Sequence, residues 1–269
     1  MSMEAAPTQD VQLSGTVLFY SRPEPLSKEA HAKLGVKRVD NPFSFAAKAN
    51  VVPLTLPEFG AASLSYPIIF AGDLRMPLAV MGLSEGQNLY FVDNVRFETG
   101  AYMPAYIRRY PFVLAGDEKG DQMVVCIDRA SPLIGENADA PFFENGELTA
   151  FTQNCLQFCN AFESDRRQTE SFVNLLTELD LFELKVANFT PQNEDGSQGE
   201  PQQIADYFGV SEEKLNALPA AKLAELRDNG ALRQIYIHLN SLLGWDKLIA
   251  KGLERAQREL DAAAAANKA

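Results

Sequence analysis

Between residues 64 and 127 the chain alternates short apolar runs with turn signals, and this limits the folds open to it. YPIIFA at residues 66–71 is followed by Gly72 and Asp73, then by MPLAVMG at 76–82. Glu85 and Gly86 precede NLYFV at 88–92, and Asp93 and Asn94 follow it. Phe112–Gly116 and QMVVCID at 122–128 flank a turn around residues 117–120. Runs of this length rich in β-branched and aromatic residues predict strands. Parallel strands need a crossover of about a dozen residues or more, so these connections predict antiparallel pairing.

The flanking segments are punctuated differently. Residues 1–14 read as a flexible arm, and GTVLFYS at 15–21 as a short strand. Ser27 is placed to cap a short helix that stops at Gly35. Pro42, Pro53 and Pro57 predict an extended segment over 41–59, anchored by Phe43, Phe45, Val52, Leu54 and Phe59, with a helical turn near 57–64. Residues 129–147 read as an irregular acidic connection.

Beyond residue 147 the period changes. Leu148, Phe151, Cys155, Phe158, Phe162, Asp165, Thr169, Phe172, Leu176 and Leu179 recur three and four apart, which predicts a long helix with one apolar seam. Asp165 and Thr169 interrupt the seam, so a kink or break would fall at 164–168. The seam faces the core or serves homo-oligomer formation through the 148–179 helix. A strand at 181–189 and a polar loop at 190–201 precede residues 203–210, whose pattern is ambiguous; returning as a strand, they would complete a hairpin. Ser211 then caps a helix, Pro219 starts another, and Asn229 and Gly230 end it. A last helix from Ala231 carries Leu232, Ile235, Tyr236, Leu239, Leu242 and Leu243, with a bend at Gly244 and Trp245. The tail 251–269 is helix-prone and expected to fray. The expected fold is α+β: an antiparallel sheet from the N-terminal half packed with a helical C-terminal half. One domain over 15–250 is expected, β-rich over 15–128 and helix-rich over 148–250.

Composition narrows function. Apolar residues make up 46% of the 269, enough for a sizeable core. A formal net charge of -12 disfavours nucleic acid, whose phosphates require clustered Lys and Arg. The first residues lack the charged and apolar regions of a secretory signal, and no run is long enough to span a membrane. Cytoplasmic residence is expected, with signal-less export left open. The cysteines are Cys126, Cys155 and Cys159, an odd number that suits a reducing compartment.

Catalytic signals are weak. Cys155 and Cys159 could supply two metal ligands from one helix face, but His31 and His238 stand alone, and structural zinc takes four ligands. Nothing marks Cys126 as an activated thiol. His238, beside an apolar stripe, reads as a satisfied, partly buried histidine. Phosphate-binding and G-x-S-x-G motifs do not occur. Neither catalytic residues nor a metal site is assigned.

The dense cluster is AYMPAYIRRY at 101–110. Helical spacing would put Tyr102, Tyr106 and Tyr110 on one face beside Arg108 and Arg109. Guanidinium forks bind carboxylates and stack on aromatic rings. One reading is a site for a carboxylate, a peptide terminus or an aromatic ligand; the other is an internal ion-pair network with tyrosine packing.

Several blocks, in order, resemble the bacterial SapC family: PEPLSKEAHAKLGVK, FSFAAKANVVPLTLPEF, YPIIFAG, YMPAYIRRYPF, VCID and NGALRQIYIHLNSL. The resemblance covers about residues 15–250. It is to the surface-layer-associated family, not to the membrane-spanning peptide-transporter permease of the same name. It carries over no catalytic residues. It implies an association with flavin-dependent halogenases and outer-membrane receptors through gene neighbourhood. The leading expectation is a non-catalytic binding or accessory protein for a peptide or partner protein, without a cofactor. The alternatives are an enzyme or enzyme helper in flavin-dependent halogenase chemistry, with flavin as cofactor, and a surface-layer structural protein.

Overall fold

The computed structural model describes residues 18–116, 123–190 and 200–266. The loose arm, the turn at 117–120 and most of the polar loop at 190–201 lie outside them. The fold is α+β, and every strand pairing is antiparallel. The chain divides into two compact units. One contains the described residues up to Phe45 together with Ile107–Ser164; the other contains Ala46–Tyr106 and the described residues from Asp165 onward.

In the first unit, Met123–Asp128 lies between Pro23–Pro25 and Phe112–Gly116. The strand expected at 15–21 is displaced. Its described residues Leu18 and Phe19 form a turn, and pairing begins at Pro23. Two prolines are tolerated there because an edge strand needs no outward donor. Ser27 caps the helix Lys28–His31 through a bond from Ala30 N, as expected. Gly35 does not stop that helix; it lies within the strand Leu34–Val36. A Cβ there would fall 2.3 Å from the Ala140 carbonyl oxygen, so the central strand of this small sheet requires glycine.

The segment 129–147 is not irregular. It holds the short strands Ile134–Glu136, Ala140–Pro141, Phe143–Glu144 and Glu147–Leu148. The last two form a hairpin across Asn145 and Gly146, with φ of 50° and 82°. Asn-Gly is the pair that tolerates positive φ at both turn positions. Leu34, Phe112, Ile127, Ile134, Phe142 and Cys159 form one core of this unit, and Tyr20, Tyr110, Val113, Cys126 and Leu133 another.

The second unit is built on a five-stranded sheet, in the order Phe182–Phe189, Gln202–Val210, Ile68–Ala71, Met76–Val80, Val51–Pro53. The hairpin expected around Gly72 is present, with Ile69 opposite Leu78 and Ala71 opposite Met76. The hairpin from 182 to 210 is also present, so the C-terminal half supplies two of the five strands. The strand expected at 88–92 shrinks to Phe91–Val92, paired with Arg96–Phe97. Residues 41–59 run through Val51–Pro53 and two short 3-10 turns, with Val52, Leu54 and Phe59 buried.

The helix Ala150–Glu178 continues through 164–168 without a break. Thr169 is polar for a reason: its hydroxyl donates to the Asp165 carbonyl at 2.6 Å and accepts from Leu56 N at 2.7 Å. The apolar stripe from Ala231 divides into two helices, Ala231–Ser241 and Gly244–Ala266.

The two hairpins of the sheet are joined by one residue pair, Phe208 with Phe70. Continuing that register would set Val210 opposite Ile68. The imidazole of His238 stands between them instead. Val210 N–H donates to Nε2 at 3.1 Å, so Nδ1 carries the proton and donates to the Ile68 carbonyl at 2.9 Å. Ser241 takes the Ile68 N–H at 2.9 Å and donates to the His238 carbonyl at 2.6 Å. His238 is fully buried rather than partly buried. Burial lowers its pKa from 6.5 to about 4.

The unfolded chain therefore binds a proton between these values that the folded chain does not. Stability from this group is complete above pH 6.5 and is lost as the pH falls toward 4, by about 3 kcal/mol in all. Urea unfolding at pH 7.5 and pH 4.5 should show this loss in the natural protein. His238→Gln, which cannot titrate, should lack that part of the pH dependence. Equal pH dependence in both proteins would show that the imidazole does not carry it.

Candidate functional site

Two prolines bracket the Tyr–Arg cluster, and they decide its geometry. Pro104 biases Met103 toward extended backbone, and Pro111 cannot donate to a helical carbonyl. The helix between them is one turn, Ala105–Arg108. Tyr102 precedes it and Tyr110 follows it. The expected helical face carrying Tyr102, Tyr106 and Tyr110 therefore does not form.

Tyr102 and Tyr106 belong to the second unit. The Tyr102 hydroxyl donates to Glu58 Oε1 at 3.0 Å, and the same oxygen accepts Ala105 N–H at 2.7 Å. Glu58 Oε2 accepts the Thr55 N–H and hydroxyl, both at 2.8 Å. This buried carboxylate thus ties the turn at 55–58 to the start of the short helix. Burial, then Glu58, raises the pKa of Asp165. Tyr106 is itself buried.

Arg108, Arg109 and Tyr110 belong to the first unit. Tyr110 packs against Phe45 and Tyr20, with ring centroids 4.1 and 5.2 Å away. Its hydroxyl donates to Asp128 Oδ2 at 3.0 Å, and burial pushes its pKa up to about 12. Asp128 is fully buried and also accepts from Ser21 N, Arg22 N and Ala130 N. The last of these is an Asx turn, for which an Asp at a strand end is the sequence signal.

The two arginines use the long helix. Phe158 and Phe162 are four residues apart on it and share a face. The Arg108 guanidinium lies 5.2 Å from the Phe158 ring centre, and that of Arg109 lies 4.5 Å from Phe162 and 5.7 Å from Tyr20. Arg109 is half-buried, whereas Arg108 is exposed. The phenylalanines were legible only as an apolar seam; their role as cation platforms required the tertiary pairing.

The other chemical groups are held inside. Burial raises the thiols of Cys126, Cys155 and Cys159 to about 11, with Arg109 partly opposing this at Cys159. His31 Nδ1 accepts Ser27 N–H at 3.0 Å, which leaves Nε2–H to donate to Glu24 Oε1 at 3.0 Å. Among the described residues, no three His, Cys, Asp or Glu side chains are grouped to hold a metal ion. No helix among them is long and apolar enough to cross a membrane.

The SapC family model matches residues 26–248, most of the chain. The chain belongs to the SapC family. No curated protein and no solved structure matches it. Family membership agrees with the ordered blocks read from the sequence, and names no reacting group.

Removing the Asp128 carboxylate would strand the Tyr110 hydroxyl and three backbone donors. Asp128→Ala should cost about 3 kcal/mol in urea unfolding. Equal stability of the Asp128 variant and the natural protein would refute the structural role given to that carboxylate.

Proposed function

We propose that this SapC-family protein is a non-catalytic binding or accessory protein that docks a carboxylate-bearing peptide or partner protein on Arg108. The observation that carries this reading is the exposed guanidinium of Arg108 set against the ring of Phe158. Tyr102 is bonded to Glu58, Tyr110 to Asp128, and Arg109 is packed on two rings. Arg108 is exposed, with the ring of Phe158 behind its guanidinium. An aromatic platform restricts a planar fork, so less freedom is lost when the fork takes a carboxylate.

Internal bonding of the reactive groups supports a binding role over catalysis. A thiol raised to about 11 is a poor nucleophile at neutral pH. His238 has both nitrogens committed to backbone groups, and His31 is committed to Ser27 and Glu24.

The test is a peptide panel with free and amidated C-termini, titrated by fluorescence anisotropy. Binding should require the free carboxylate. Arg108→Ala should weaken it about tenfold or more. Arg108→Lys should also weaken it, since it keeps the charge and loses the planar fork. Equal binding by natural protein and Arg108→Ala would overturn the assignment.

A further inference from the structure

Among the described residues, the strand Phe182–Phe189 forms one edge of the five-stranded sheet, with Gln202–Val210 as its one strand neighbour. Two contacts show which of its backbone groups face outward. The Leu181 carbonyl accepts from Ser211 N, on the hairpin side. The Phe182 carbonyl accepts instead from Lys214 Nζ at 3.0 Å. Its hairpin partner Val210 likewise sends its N–H to His238 rather than across the pair. With the strand period of two, Leu184 and Val186 also direct their N–H and C=O groups outward. A register shift between Ala187 and Asn188 ends this alternation.

Sheet edges are usually blunted by charge, proline, a bulge or a covering element. Here Lys214 takes the first outward carbonyl, and the bulge lies beyond Val186. Between them the side chains of Leu184 and Val186 are 62% and 46% exposed. Glu183 and Lys185 point to the opposite face and form an ion pair with each other.

We propose that this edge pairs antiparallel with the same edge of a second copy of the chain, about a two-fold axis at Leu184. In that register the outward-facing residues oppose one another: Leu184 meets the partner's Leu184, and Phe182 meets the partner's Val186. Each such pair exchanges two backbone hydrogen bonds. The Phe182 carbonyl, although it holds Lys214, has a second lone pair for its share. On the other face Glu183 falls opposite the partner's Lys185, and Lys185 opposite the partner's Glu183. Neighbouring registers are disfavoured by charge. An axis at Lys185 sets Lys185 against the partner's Lys185, and an axis at Glu183 sets two glutamates together, and like charges directly opposite destabilise a ladder. The segment is therefore complementary to itself in one register, as an isologous interface requires.

Sedimentation equilibrium of the full chain, from low micromolar to millimolar concentration, tests the proposal. A reversible dimer is expected. Glu183→Lys alone and Lys185→Glu alone should each weaken it about tenfold or more, because each sets like charges opposite on both sides of the axis. The double variant carrying both changes should recover it. Leu184→Pro removes an outward N–H without touching the hairpin ladder, and should give a folded monomer by circular dichroism. It carries the test if a charge variant fails to fold. A natural chain that stays monomeric throughout overturns the proposal. So does a dimer indifferent to the single reversals, or a double variant no tighter than the singles.

Discussion

An imidazole occupies the place of a rung in the central sheet. His238 bridges the Val210 N–H and the Ile68 carbonyl where the ladder would otherwise continue from Phe208 and Phe70. The two hairpins come from opposite halves of the chain, and one residue pair is a narrow connection between them. The bridge adds two hydrogen bonds there, and Ser241 from the same helix takes the remaining N–H of Ile68. The arrangement works only with a neutral ring, because Val210 can donate but not accept. Burial enforces that neutrality by disfavouring the charged form.

The same constraint governs the carboxylates. Glu58 and Asp128 are both buried, and each is surrounded by donors from backbone and tyrosine. A buried charge without such partners would cost several kcal/mol. Satisfying them consumes the hydroxyls of Tyr102 and Tyr110, the residues most conspicuous in the sequence. The exposed features include Arg108 beside the ring of Phe158, and Leu184 and Val186 on one edge strand.

Local signals were readable where the deciding energetics are local. Ser27 caps its helix because a side-chain oxygen three residues before a free N–H can reach it. The turn at Gly72, the hairpin from 182 to 210, and the helix end at Asn229 and Gly230 follow from turn chemistry and period. Asn145 and Gly146 carried an equally local signal, which the acidic surroundings obscured. The Tyr–Arg run misled for the opposite reason. A spacing of four implied a helical face, but Pro104 and Pro111 cap the helix at one turn.

Sequence alone determined the α+β class, the antiparallel pairing and the family, because period, connection length and ordered motifs are properties of neighbouring residues. Only the tertiary structure decided which polar groups are committed inside. His238 meets Val210 and Ile68 across 28 and 170 residues, and Tyr102 meets Glu58 across 44. Such partners are chosen by burial: once water is excluded, each polar group must bond to whatever the fold brings near it.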